Sequence, residues 1–188
     1  MMCFTLAPRL NNLVSLPRWL LTAALLLSPL AKAEVIVSPA PLPESNQLKV
    51  FLGGSIEMGK ARNWQLDVVN AFKDAPIQLF NPRRADWDPA WQPVLSNPHF
   101  KQQVEWELNA LEHSDIIIMY LAPGTQSPVS LMELGLYAAS GKLIVICPEG
   151  FWRKGNVDAV TQRYNINTVD NIEDAIALIK SKMAAAQH

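Results

Sequence analysis

The chain has little cysteine and little histidine, and gathers neither into a cluster. Of its 188 residues two are cysteine, Cys3 and Cys147, and three are histidine, His99, His113 and His188. The histidines are scattered without metal-ligand spacing, so no metal is expected. Basic residues form no run, and the formal net charge is only −1, which argues against a nucleic-acid polymer as partner. There is no GxGxxG fingerprint and no Walker lysine motif, so neither of the familiar phosphate-cradling loops is available and no cofactor is implied.

A long membrane span is also missing. The one extended apolar run, residues 19–30 (WLLTAALLLSPL), is shorter than the roughly 20 residues a membrane helix needs. It follows Arg9 and Arg18 and precedes Ala31-Lys32-Ala33, the order of a basic n-region, an h-region and an A-x-A cleavage site. Residues 1–33 therefore read as a signal peptide cleaved between Ala33 and Glu34, which predicts a periplasmic or secreted protein with no membrane span after cleavage. An uncleaved anchor is the alternative. Cleavage removes 33 of 188 residues, leaving 155, enough for one domain with a proper core. Losing Arg9, Arg18 and Lys32 from 16 basic residues leaves 13 against 17 acidic ones, a net charge of −4. Cys3 goes too, so the mature chain has no second cysteine to pair with Cys147.

Residues 34–47 (EVIVSPAPLPESNQ) are rich in proline and serine and read as an N-terminal tether. Residues 48–188 then form one domain in which strands and helices alternate. Short apolar strands are expected at 48–52, 77–80, 115–121, 143–147 and 166–169, with helices at 63–73 (Leu66, Val69 and Phe72 on one face), 100–114, after 127, within 148–164 and from Asp170 onward. The last is given a capping-box-like start by Asp170 and Glu173. Such alternation with β-branched central strands predicts an α/β, flavodoxin-like three-layer sandwich: a five-stranded parallel sheet of order 2-1-3-4-5 with helices on both faces. In sheets of this kind ligands bind where the strand order reverses, at the carboxyl ends of strands one and three. The loops at 53–60 and 122–130 are thereby selected.

The second of these loops leads into LMELGLYAASG, where Glu133 stands alone on an apolar helix. Burying an unpartnered carboxylate costs several kcal/mol, so this charge needs a reason. Near a helix start the macrodipole favours an anion by roughly 0.3–1 kcal/mol, which would keep Glu133 ionised as a carboxylate nucleophile requires. A helix-start glutamate pairing with loop backbone is the plainer alternative. On the helix at 100–114, Phe100, Val104 and Leu111 make the expected inward stripe, and Glu107 falls on it. It is either at a cleft or satisfied by a core partner. Glu105 and Glu112 face solvent by the same count. Two carboxyls converging on one pocket suit double displacement at a glycosidic carbon, one attacking and one serving the leaving group; burial would supply the raised pKa that proton delivery needs.

Around this pair, Gly53 and Gly54 permit close backbone approach, and Ser55 adds a hydroxyl. The loop at 81–91 (NPRRADWDPAW) concentrates Arg83, Arg84, Asp86, Trp87 and Trp91. Its aromatics have the shape to stack on a planar base while an acid such as Asp86 reads the base edge; an ordered surface loop is the alternative.

Four segments, VFLGGSI, FNPRRADWD, VEWELNALEHSDIIIMYL and QSPVSLMELGLYAASGK, together resemble the nucleoside 2-deoxyribosyltransferase family and its deoxynucleoside 5′-monophosphate N-glycosidase relatives. The resemblance runs over about residues 48–165. It implies that Glu133 takes the deoxyribosyl group and that Glu107 assists the leaving base, where the family usually has aspartate. It also implies that Ser127 contacts the sugar or its phosphate, and that Gly54 and Ser55 line the sugar site. Phe51 stands where the family often has a tyrosine that orients the nucleophile. Glu57 stands where phosphate-accepting members often have arginine, which argues against a monophosphate. The expected partner is a small-molecule nucleoside or nucleotide, and the family implies a homodimer or higher homo-oligomer. The expected function is an exported enzyme that cleaves or transfers at the N-glycosidic bond of a (deoxy)nucleoside. The alternatives are a non-catalytic nucleoside-binding module and an interaction protein using the tryptophan-rich loop.

Overall fold

The computed structural model describes residues 32–186; the segment read as a signal peptide, apart from Lys32 and Ala33, lies outside them. Six parallel strands form one sheet: β1 (Glu34–Val37), β2 (Leu48–Gly54), β3 (Ile77–Asn81), β4 (Ile116–Tyr120), β5 (Leu143–Ile146) and β6 (Asn167–Val169). Their order is β1-β3-β2-β4-β5-β6. The five expected strands thus take the flavodoxin-like order, and a sixth is added at the edge.

That sixth strand corrects the reading of residues 34–47 as a tether throughout. Val35, Ile36 and Val37 give enough β-branched character to pair with β3, in register from Glu34 with Gln78 to Val37 with Asn81. Ile36 turns into the core, while Val35 and Val37 face outward. Beyond the strand, the Ser38 N–H continues the pairing by donating to Asn81 O at 3.1 Å, and the Trp106 indole N–H donates to Ala40 O at 2.7 Å. Prolines follow only after this pairing is complete.

Period-two alternation divides the core between the two faces of the sheet. Val50, Leu52, Ile116, Ile118, Ile144 and Ile146 pack against α1 (Gln65–Phe72) and α5 (Ile172–Ala185). Phe51, Ile117, Met119 and Val145 pack on the opposite face against α2 (Pro98–His113), α3 (Pro128–Tyr137) and α4 (Lys154–Arg163). β2 therefore sends its helix to one face and β4 sends its helix to the other. A crevice must open between their carboxyl ends, at the reversal of strand order.

Three local expectations shift. The buried face of α1 is Gln65, Val68 and Phe72, not the stripe through Leu66 and Val69, and Leu66 is exposed. The buried residues of α2 are Gln103, Trp106, Ala110 and Leu111, so Phe100, Val104 and Glu107 flank the stripe. The cap of α5 is Asn171, whose side chain accepts from the Asp174 N–H, one residue later than Asp170. Among the described residues no helix is long and apolar enough to cross a membrane.

Candidate active site

β2 and β4 end side by side, Gly53 opposite Met119 and Gly54 opposite Tyr120. Gly54 has φ +132°, and a Cβ there would collide with the Tyr120 backbone. Only glycine allows this approach. The two loops are then stitched by hydroxyls. The Ser55 N–H donates to Tyr120 O at 2.8 Å, and Ser55 Oγ accepts from the Ala122 N–H at 2.9 Å. The same oxygen lies 2.6 Å from Ser127 Oγ and 2.8 Å from Thr125 Oγ1. Thr125 donates its proton to Ala122 O, so it can only accept from its serine neighbours. Ser55 is fully buried and Ser127 nearly so; both hydroxyls hold the loops together.

Ser127 opens α3 in the left-handed region at φ 46° and provides no side-chain cap of its own. A carboxylate from the first loop supplies one instead. Glu57 Oε1 accepts the Gln126 N–H at 3.0 Å and the Ser127 N–H at 2.9 Å, filling the anion-binding position that a helix start offers.

One helical turn and a half onward lies Glu133, the sixth residue of α3 and only 6% exposed. It is past the first turn, where the macrodipole acts, so the expectation that the helix start keeps it ionised does not hold. Burial, and then the negative charge of Glu107, push its pKa up from an ordinary 4.5 to about 8, with no hydrogen bond to offset them. Glu107 rises to about 7 through burial, opposed by a hydrogen bond from Gln103. That repulsion means that α2 and α3 bring the two carboxyls within reach of each other's charge. Tyr137, one turn beyond Glu133, is also raised, by burial first and then by Glu112 and Glu133.

Gln103, not singled out in the sequence, is hydrogen-bonded to Glu107. Its Nε2 donates to Glu107 Oε1 at 2.9 Å and to Pro82 O at 2.9 Å, and its Oε1 accepts from the Ser38 hydroxyl at 2.6 Å. The available signal was a glutamine four residues before Glu107, on the same helix face.

Asp86 and Trp87 are engaged within their own loop. Both Asp86 oxygens accept from Arg84, Nε and Nη2, at 2.7 Å, and this holds the exposed carboxyl down at about 2. Trp87 meets Trp91 edge-on with centroids 5.1 Å apart, and Trp91 in turn stacks on His99 at 4.8 Å. Two cavities flank α4. One, of about 470 Å³, is lined by Cys147, Lys154, Asp158 and Thr161 among others; the second, of about 350 Å³, lies between Leu131, Leu134, Trp152 and Val160. Neither is lined by Glu107 or Glu133.

A family model described as "Nucleoside 2-deoxyribosyltransferase like" matches residues 47–151, more than half of the chain. The chain belongs to that family. Its chemistry is of the glycosyl-transfer type, with a nucleoside-class small molecule as partner. No curated protein matches the chain. Among solved structures, the crystal structure of a conserved protein from Enterococcus faecalis aligns with a TM-score of 0.50 at 16% identity, covering 72% of this chain and 99% of that one. That likeness establishes the shared fold alone.

The nucleoside 2-deoxyribosyltransferase-like region takes in Gly53, Gly54, Ser55, Asp86, Trp87, Glu107, Ser127 and Glu133. It leaves out β1 with Ser38, and also α4, β6 and α5.

Proposed function

We propose that this chain cleaves or transfers at the N-glycosidic bond of an unphosphorylated (deoxy)nucleoside, with Glu133 as nucleophile and Glu107 as general acid. A Glu133 oxygen bonds to C1′ as the C1′–N bond breaks. The bond's electron pair goes to the base nitrogen, which takes the Glu107 proton. Water, or a second base, then attacks C1′, frees Glu133, and returns a proton to Glu107. This is the double displacement of paired carboxylates.

One observation carries the reading: carboxyls from two separate helices, Glu107 and Glu133, are both raised by burial, and the charge of Glu107 raises Glu133 further. A pair holding one proton supplies both a nucleophile and an acid; the reactive form has that proton on Glu107 and the charge on Glu133, the reverse of the order in which the two are raised. The Glu57 carboxylate at the start of α3 supports an uncharged substrate, because a phosphate would have to displace it. The basic n-region, apolar run and A-x-A site support action outside the cytoplasm. Fractionation, with N-terminal sequencing that begins at Glu34, tests that location.

For the chemistry, purified protein is incubated with deoxynucleosides, with and without an acceptor base. Base release by wild type and its loss in Glu133→Ala are expected. Equal inertness of the two across a broad panel overturns the enzyme reading. Exchange of bases with little free sugar identifies a transferase, and free sugar a hydrolase. A binding module is the second reading, favoured by Phe51, which is buried and places no hydroxyl where the family often has one. Tight binding without product, retained in Glu133→Gln, would establish it.

A further inference from the structure

We propose that Ser38 and Gln103 are positioning residues for Glu107, the strand-borne hydroxyl orienting the amide so that its N–H pins Oε1 and leaves the transferable proton to Oε2. The inference rests on the acid role given to Glu107 above, and names what sets that acid's state.

Pro82 O accepts only, and an ionised Glu107 oxygen accepts only. The amide corner that meets both must be the NH2, which donates to each at 2.9 Å. The opposite corner is then an oxygen, and the Ser38 hydroxyl donates to it at 2.6 Å. A flipped amide would set its oxygen against two acceptors at once. Ser38 and Gln103 are both buried, at 3% and 4% exposed, so water does not readily replace a lost partner and an orphaned amide oxygen would be costly.

With Oε1 engaged as an acceptor, the carboxyl proton has only Oε2 to occupy. The same hydrogen bond favours the ionised form and so works against the burial that raises Glu107. The facing titratable groups are few. Glu133 on α3 feels the charge of Glu107, and Tyr137 follows it one turn on, raised by burial and then by Glu112 and Glu133. Ser38 reaches this helix only because β1 is laid along β3. It lies outside residues 47–151, so one member of the relay comes from beyond the matched region.

The test uses Ser38→Ala, Ser38→Thr and Gln103→Met in the full chain, with melting curves to confirm folding. Two readouts are followed: the pH profile of base release, and the titration of the Glu107 carboxyl by carbon NMR, assigned with Glu107→Gln. Gln103→Met should raise the Glu107 titration and move the acidic limb of the profile, where the lower-titrating Glu107 loses its proton, upward by a few tenths of a pH unit, with kcat falling about tenfold and KM little changed. Ser38→Ala should do the same more weakly, and Ser38→Thr should restore wild-type behaviour. An unchanged Glu107 titration, with activity reduced evenly at every pH, overturns the relay and leaves the two residues as packing. A titration that shifts while wild type turns over no nucleoside supports the relay and counts against the reaction itself.

Discussion

Glu57 and Ser127 meet across the mouth of the site: one carboxylate oxygen of Glu57 accepts the Ser127 backbone N–H at 2.9 Å. The helix that carries Glu133 is thus capped by a side chain from the loop after β2. Its own N-cap residue, left-handed at φ 46°, makes no side-chain cap.

Glu57→Ala should therefore uncap α3 and lower stability by about 1 kcal/mol, read as a fall in melting temperature. It should also free the two N–H groups of residues 126 and 127 for another anion. Calorimetry should show a deoxynucleoside 5′-monophosphate binding more tightly to Glu57→Ala than to wild type. Unchanged affinity would mean that Glu57 does not set the preference for an uncharged sugar.

Glu133→Gln should stabilise the fold in alkali while abolishing activity. In the folded chain the carboxyl binds its proton up to about pH 8, against an ordinary 4.5. Between those values the folded form holds more proton than the unfolded, so stability falls as pH rises through that window and is fully present below it. Removing the charge should raise stability by about 1–3 kcal/mol at pH 9 and hardly at all at pH 4. Denaturant titrations at the two pH values check the sign.

Glu107→Gln should keep nucleoside binding and cut base release by about 10²–10⁴-fold, the usual worth of a general acid. The loss should be smallest for nucleosides whose base leaves without protonation. In wild type the rate should peak near pH 7–8, between the two raised carboxyls. A profile flat from pH 5 to 9 would contradict the shared proton.

Gly54→Ala should unfold or severely destabilise the chain, beyond the roughly 1 kcal/mol of an ordinary strained alanine. The added methyl meets strand backbone at Tyr120, not a side chain able to move away. Circular dichroism and thermal melting of the variant are the measure.

The strand order was legible because five short apolar runs, separated by helical periods, leave few ways to cover both faces of a sheet. Glu133 and Glu107 were legible because a carboxylate on or beside an apolar stripe has to be explained. The edge strand was hidden by composition: Ser38, Pro39 and the later prolines obscured the four residues before them, and what fixes those four is β3 alongside. The face of α1 was misread because Gln65, a polar residue, is buried while Leu66 is not; tertiary packing overrode the hydrophobic count. The same error, made by one position on α2, concealed Gln103. Asp86 and Trp87 were singled out because their types suit a base, and their partners within the loop went unseen. The preceding Arg84 takes the acid, and Trp91 takes the ring; sequence spacing does not report such pairings.

Cys147 sits half-buried just past β5, with burial pushing its thiol up to about 11. Only thiolate reacts quickly with electrophiles, so the native chain carries a dormant sulfhydryl that wakes when the sheet opens. In the chain beginning at Glu34, which lacks Cys3, a maleimide dye would thus mark unfolded molecules selectively, giving a built-in reporter against which substitutions could be scored.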